Sequence, residues 1–405
     1  MTTVGILGGG QLGRMLALAG VPLGIRCLAV DPGPDAPAAA VAEVLTTPFD
    51  DPGALGELAR RCDVVTIEVE HVPVEALAWL AERVPVRPSP EVVGVAQDRW
   101  AEKQLLARLG VATAPFDAPE ELEVGFPTGT IVKRRTGGFD GRGQVRLDPS
   151  ATAAAVRAAA VQLGAPSVAE GVVAFEREVS VVAARGLDGA MAVYPLVENH
   201  HAEGILRQTL APAPGTPAAL EQAAADLIRL VADDLGHVGV LCLELFQVDG
   251  TLLANELAPR VHNSGHWTIE GASTSQFEQH LRAVCGLPLG DPSVRSPSAM
   301  VNLIGSEPAP ADVLTLPGAH LHSYGKAARP NRKVGHVTVV GADEAERDRR
   351  LTTLRQVLAG PPTVVAGDGP ARNWRSAFRR RSRSASSAPT TVTWPTLRFG
   401  RAAFP

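Results

Sequence analysis

"LELFQVDGTLLANELAPRVHNSGH", residues 243–266, holds two apolar runs joined by Asp249-Gly250. An Asp-Gly pair between such runs is a strong short-range hairpin signal. Each run carries one glutamate, Glu244 and Glu256. If the strands pair about the turn, the two carboxylates can face each other on one surface. An unpaired carboxylate in an apolar run is costly to bury, so two like charges there ask for a cation. Oxygen donors favour Mg²⁺, which takes one or two carboxylates plus substrate phosphates, and Asn255 adds a further oxygen. The competing reading pairs one glutamate with Arg260. His262 and His266 stand in H-x-x-x-H spacing, but no glutamate follows His262 and Gly265 breaks a helix, so zinc is not expected.

Upstream, "VKRRTGGFDGRGQ" (132–144) lies between two strand-like runs, "TIVKRR" and "QVRL". It reads as a β-hairpin flap. Its four glycines free the backbone N–H groups to close over phosphate oxygens, and Lys133 on the strand before it can neutralise an α- or β-phosphate. A P-loop would run from strand into helix, and no G-K-[ST] is present. An ordinary glycine-rich hairpin with surface charge is the alternative.

The N-terminus, "VGILGGGQLGRM" (4–15), fits the G-x-G-x-x-G fingerprint through Gly8, Gly10 and Gly13, with Asp31 ending the next apolar run. Residues 3–95 alternate apparent strands (3–7, 27–30, 63–69) with helices (11–20, 51–62), the pattern of a parallel sheet. Helical pieces follow near 90–95 and 98–109, then the flap, a helix at 150–163 and four apolar segments ("SVAEGVV", "REVSVVAAR", "MAVYPLV", "ILRQTLA") that suggest an antiparallel sheet. A long helix covers 216–235. Beyond the 243–266 hairpin come a helix near 275–285, a small β-rich unit and a helix at 343–358.

Composition narrows the function. The chain has 405 residues, 45% apolar and 20% charged, enough for two or three cored domains. No run of 18 or more uncharged apolar residues is present, so no membrane span is read. The start goes straight into a strand, with no leader expected. Four dispersed cysteines suit reduced thiols in a cytoplasm. The formal charge of −5 hides an asymmetry: from Arg372 onward there are eight Arg and no Lys, Asp or Glu, so the remainder carries about −13. That acidic body argues against a nucleic-acid-binding core.

In this order the pieces resemble the ATP-grasp superfamily, and within it the enzymes that carboxylate aminoimidazole ribonucleotide in purine biosynthesis. The motifs are "GILGGGQLGRM", "QDRWAEKQLL", "IVKRRTGGFDGRGQ", "EREVSVV", "YPLVENHHAEGILR", "NELAPRVHNSGHWTIEGASTSQFEQHLRA" and "LHSYGKAARPNRKVGHVT", collinear over about 1–358. The resemblance implies an α/β chain of the α+β ATP-grasp kind. Its parts would be a Rossmann-like domain (1–95) that binds no dinucleotide, an ATP-grasp domain (96–295), a small β-rich C-terminal domain (296–370) and a basic, disordered tail (371–405). The glycine turn would hold the ribonucleotide's phosphate end at a helix N-terminus, leaving Asp31 structural.

Residue roles follow from the same resemblance. Arg99 and Lys133 would contact ATP phosphates under a flap of Gly138, Phe139, Asp140, Gly141, Arg142, Gly143 and Gln144. Glu170, Gly171, Val172 and Val173 would read adenine through the backbone, and Glu178 would hold the ribose. His201 and Asn255 would line the nucleotide site, and Glu244 and Glu256 would carry Mg²⁺. The ribonucleotide would meet Gln11, Asp140, Arg142, Arg260, His262, Asn263, Ser264, Lys326, Arg332 and Lys333, with Lys133, Arg260 and His262 closest to the chemistry. Phe139 stands where relatives carry tyrosine. The expected reaction joins bicarbonate to the substrate amine through carboxyphosphate, with ATP as co-substrate. The proton leaving the amine would go to His262, Asp140 or phosphate. No nucleic acid or membrane partner is expected, and a homodimer is. The nearest rival is a formate-dependent glycinamide ribonucleotide transformylase, whose signature resembles P-R-P-H-D-T-G rather than "PRVHNSGH". A nicotinamide oxidoreductase and a nucleotide sensor without turnover are the rivals of other classes.

Overall fold

A computed structural model of the chain describes residues 1–138 and 143–360. Strands β1 (Thr3–Leu7), β2 (Arg26–Asp31), β3 (Glu43–Thr46) and β4 (Val64–Ile67) form a parallel sheet in the order β3-β2-β1-β4. The runs Val4–Leu7 and Val64–Ile67 are buried throughout, as a parallel sheet covered on both faces requires. β3 is the one strand here that the sequence pattern does not announce: only four residues long, it is half exposed.

A second sheet, β5-β8-β6-β7, holds β5 (Phe116–Asp117), β6 (Thr130–Arg134), β7 (Gln144–Leu147) and β8 (Ser167–Gly171). β6 and β7 pair antiparallel, Lys133 opposite Gln144, as expected of the two strands that flank the flap. The expectation that "SVAEGVV" joins the following apolar segments needs correcting. Its strand β8 pairs with β5 and β6, Glu170 lying between Phe116 and Ile131.

The largest sheet runs β14-β13-β9-β11-β12-β15-β17-β16, with β10 (Met191–Val193) beside β9. Its strands are β9 (Arg177–Arg185), β11 (Val197–Ala202), β12 (Ile205–Ala211), β13 (Gly239–Val248), β14 (Thr251–Ala258), β15 (Ser298–Ile304), β16 (Ala319–Ser323) and β17 (Lys333–Val340). The C-terminal β-rich unit therefore extends the central sheet through the β12–β15 pairing. The helix Ala218–Asp234 packs Leu220, Ala224, Ile228 and Val231 against β9, β13 and β14 on one face. On the other, the helices Gln11–Gly20 and Gln276–Val284 seal the central sheet to the N-terminal one through Leu16, Phe277 and Leu281. Among the described residues no helix is long and apolar enough to cross a membrane. The expected tail, 371–405, and the flap residues Phe139, Asp140, Gly141 and Arg142 lie outside the described residues.

Candidate active site

The hairpin turn has both central residues, Asp249 and Gly250, at positive φ, and Val248 pairs with Thr251 across it. That register alone would set Glu244 opposite Asn255 and send Glu256 to the other face, since a one-residue slip exchanges faces. A β-bulge at Asn255 changes this. Below it Leu245 pairs with Ala254, and above it Glu244 pairs with Glu256. The bulge thus brings the two carboxylates onto one face and re-aims Asn255 beside them.

All three face a cleft of about 580 Å³. Its walls include Gln11, Arg99, Lys133, Gly143, Gln144, Glu170, Glu178, His201, Arg260, His262, Asn263 and Lys333, as well as Glu102 and Lys103, which the sequence reading did not single out. Burial raises the Glu244 carboxyl, but the hydrogen bond and charge of His262, with His201 beyond, hold it down to about 2. Glu256 moves the other way. Desolvation in the cleft and the charge on Glu244 both raise it. Its side chain is 53% exposed to the cavity, so the Glu244 charge is the cause that counts. Two neighbouring carboxylates pushed apart in this way fit a divalent cation, which would let both ionise. Hard oxygens from Glu244, Glu256 and Asn255 match Mg²⁺. Among the described residues no three His, Cys, Asp and Glu side chains form a ready-made cage, and Mg²⁺ seldom uses one.

The alternative partner for the glutamates is excluded by geometry. Arg260 is taken by Glu70 at 2.6 Å and by the Val261 carbonyl at 2.8 Å. Arg99 approaches Glu256 at 3.9 Å and also donates to the Gly138 carbonyl at the base of the flap. Lys133 Nζ donates to Glu170 Oε2 at 3.0 Å, and Lys103 Nζ lies 3.2 Å from the same oxygen. Glu170 is buried, yet the two lysines keep its carboxyl low against the cost of burial. The hinge residue therefore also sets two cations with its side chain. Gly171 N–H donates to Pro115 O and Val172 N–H to Gly129 O, which fixes the hinge backbone. His201 pairs with Glu178 at the expected ribose position; burial lowers the imidazole pKa, but Glu178 and Glu244 raise it overall.

The substrate-side residues divide. His262 Nε2 lies 2.9 Å from Glu244 Oε1. Lys326, half-buried, donates to Gln11 Oε1, and Arg332 donates to the Ala327 carbonyl at 3.2 Å. Ser264 is fully buried, with its hydroxyl 2.8 Å from His262 Nδ1. Its side chain backs the site from behind, a correction to its expected contact with substrate.

The glycine turn reaches the cleft through Gln11 and Leu12, not through its glycine amides. Three of its N–H groups are taken from within the protein. Gly10 N–H donates to Glu68 Oε1 at 3.0 Å and Gly13 N–H to Glu68 Oε2 at 2.6 Å, while Gly9 N–H donates to Asp31 Oδ2 at 2.7 Å. Gly8 has φ +117°, and a Cβ there would fall 2.1 Å from Glu68 Cγ; one at Gly10 would fall 2.4 Å from Glu68 Oε1. The glycines make room for an internal carboxylate, not for a pyrophosphate. Asp31 is structural, as expected, and also receives Gly33 N–H. Glu68 lies 55 residues beyond Gly13, beyond the reach of any local pattern.

Comparison with known proteins bears on the family. The description "ribonucleotide synthetase preATP-grasp domain" matches residues 1–97, "ATP-grasp domain" residues 104–277 and "phosphoribosylaminoimidazole carboxylase C-terminal domain" residues 298–350. The N5-carboxyaminoimidazole ribonucleotide synthase of Pseudomonas aeruginosa is 46% identical over 364 residues, 88% of this chain and 99% of its own. The crystal structure of the synthetase from Thermus thermophilus is similar with a TM-score of 0.82 at 50% identity, covering 89% of this chain and 99% of that one. The enzyme from Aspergillus clavatus, solved with ADP and 5-aminoimidazole ribonucleotide, aligns with a TM-score of 0.79 at 32% identity, covering 88% and 98%.

Proposed function

The chain belongs to the N5-carboxyaminoimidazole ribonucleotide synthase family, and on that premise we propose how its cleft works. It is an ATP-dependent carbon–nitrogen ligase that carboxylates the amine of 5-aminoimidazole ribonucleotide in purine biosynthesis. The observation that carries the reading of the site is the Glu244–Glu256 pair, facing Lys133 and Arg99 in one cleft.

ATP lies with its adenine on the 170–173 hinge and its ribose at Glu178 and His201. Its phosphates meet Lys133, Arg99 and the flap, 138–144. Mg²⁺, held by Glu244, Glu256 and Asn255, would supply charge neutralisation on the phosphates. A bicarbonate oxygen attacks the γ-phosphorus, the bond to ADP breaks, and carboxyphosphate forms. Positioning and charge, rather than covalent chemistry by the protein, carry that step. Carboxyphosphate releases CO₂ and phosphate, and the substrate amine attacks CO₂, forming the N–C bond and losing a proton. The flap keeps water from the intermediate. The ribonucleotide sits against Gln11, Arg260, His262 and Asn263, with its 5′-phosphate toward Lys326, Arg332 and Lys333. The clamp residues are cations suited to that anion. A cytoplasmic location and a homodimer complete the proposal; light scattering on the eluting protein reads the second.

Phosphate release from ATP, followed with and without aminoimidazole ribonucleotide and bicarbonate, tests the whole. Release that needs both, with carboxylated product formed in equal amount, is expected. Release that needs formate or glycinamide ribonucleotide instead would replace the assignment.

A further inference from the structure

Arg260 lines the cleft, yet its ion-pair partner does not. That partner is Glu70, just past β4 at the end of the N-terminal sheet, with Oε1 lying 2.6 Å from Arg260 Nη2. Only 17% of the arginine side chain and 29% of the glutamate side chain are exposed, so water screens the pair less than at an open surface. The chain around Glu70 is held on both sides. Val69 packs against the N-terminal core, and Glu68 receives the amides of Gly10 and Gly13. Gln97, the last residue of the helix Pro90–Gln97, donates its Nε2 to the carbonyls of both Glu70 and Val72, the second at 2.6 Å.

Arg260 has its guanidinium tethered twice. Nη1 donates to the Val261 carbonyl at 2.8 Å, and Nη2 meets Glu70. Nε is buried and has no hydrogen-bond partner among the described residues. A guanidinium is planar and its donors are fixed relative to one another, so tethering two nitrogens places the third. A buried N–H without a partner is costly. The tethers therefore keep Arg260 where its own hydrogen bonding alone would not.

We propose that Glu70 is the positioning residue for Arg260, holding its guanidinium at the cleft wall before the ribonucleotide arrives. Arginine has much rotamer freedom to lose, and a side chain ordered in advance spares the ligand that cost on binding. Glu70 itself touches no substrate in this arrangement and acts only through the arginine. The N-terminal domain then serves the ribonucleotide site through a carboxylate rather than through its glycine amides. Gln97 supports the same arrangement one step back, by fixing the backbone from which Glu70 reaches out.

The identity of the ligand rests on the proposed function. The experiment is steady-state kinetics of the full chain, with the ribonucleotide and ATP varied in turn. Glu70→Ala should raise KM for the ribonucleotide about 10-fold or more, with KM for ATP hardly moved. Glu70→Gln keeps the volume and an acceptor oxygen, and should recover most of that loss. In an Arg260→Ala background, Glu70→Ala should change kcat/KM for the ribonucleotide no further, because the residue it acts through is gone. A lower melting temperature with an unchanged KM for the ribonucleotide would make Glu70 a contact of the fold alone and overturns the proposal. Additive losses in the double variant overturn it too, as does a KM for ATP that rises in step. Phosphate release by the wild type that needs no ribonucleotide would sink the proposed function first and this proposal with it, whereas the outcomes above sink this proposal alone.

Discussion

Two regions of the molecule present charge-bearing motifs that look ready for a ligand, and they end differently. At the glycine turn, Gly10 and Gly13 aim their N–H groups at one spot, and the chain fills it with Glu68. At the hairpin, Glu244 and Glu256 are brought onto one face by a bulge, and Glu256 is raised by its neighbour's charge. In the first motif the glycine amides are satisfied by the protein and so stabilise the fold. The second is left in electrostatic deficit, which a cation would relieve. A motif's residues fix the local geometry, and the satisfaction of its polar groups decides whether that geometry is architecture or site.

Breaking the open region should have the largest effect. Glu256→Gln removes one charge from the pair that would hold the cation. We expect turnover to fall about 10²–10³-fold, with no loss of melting temperature, because the substitution also removes a like-charge contact. Near wild-type turnover at saturating Mg²⁺ would sink the metal assignment.

The border between the two regions is next. Lys326 reaches across to Gln11 at the start of the first helix, so the proposed phosphate clamp leans on the glycine turn. Lys326→Ala with Arg332→Ala should raise KM for the ribonucleotide about 10-fold or more, each charged hydrogen bond being worth about 1.5–3 kcal/mol. KM for ATP should hardly move. Equal effects on both constants would place the clamp elsewhere.

Breaking the closed region should cost stability. Both Glu68 oxygens accept from backbone donors that cannot rotate, so Glu68→Gln sets an amide NH₂ against one of them. A buried donor left unpaired costs about 1–3 kcal/mol, to be read as a shift in denaturant midpoint. NADH should bind neither wild type nor variant, and tight binding to either would reopen the dinucleotide reading of the turn.

How much of this was legible follows from range. The Asp249-Gly250 turn, the strands beside it and the two glutamates are local, and the sequence announces them. The bulge at Asn255 is not announced: a regular hairpin would have parted the carboxylates, so the expected pairing is reached by an irregularity that no period-2 pattern contains. The flap's strand pairing was readable from "TIVKRR" and "QVRL", whereas β8 could not be assigned to its sheet, since apolar content does not name a partner. Glu68 and Lys103 were invisible for another reason. Each works through residues far away in sequence, and each looks locally like ordinary strand or helix. The glycine turn was legible as a turn and misleading as a ligand site, because the carboxylate that fills it comes from β4's end.

The same contrast exists between two histidines and gives the smallest expected effect. His262 faces the cleft, while His280 is wholly enclosed between the N-terminal and central sheets. His280 Nδ1 accepts from Val240 N–H at 3.0 Å, and its Nε2 lies 2.7 Å from Thr66 Oγ1. With Nδ1 an acceptor, the ring is neutral and donates to Thr66. Burial, with His237 nearby, depresses its pKa to about 3. A histidine whose folded pKa lies below its unfolded value of about 6.5 contributes its full stability above that value. As pH falls, the unfolded chain takes up a proton that the folded one refuses, and stability declines from about pH 6.5 down toward 3. The slope for one such group is about 1.4 kcal/mol per pH unit. His280→Gln removes the titration while keeping a side chain that can accept from Val240. It should lower stability somewhat at pH 7.5 and flatten the acid limb of the midpoint-against-pH curve by that single-group slope. An acid limb of unchanged steepness would mean that His280 is charged in the fold, and that this enclosed histidine belongs with the open region after all.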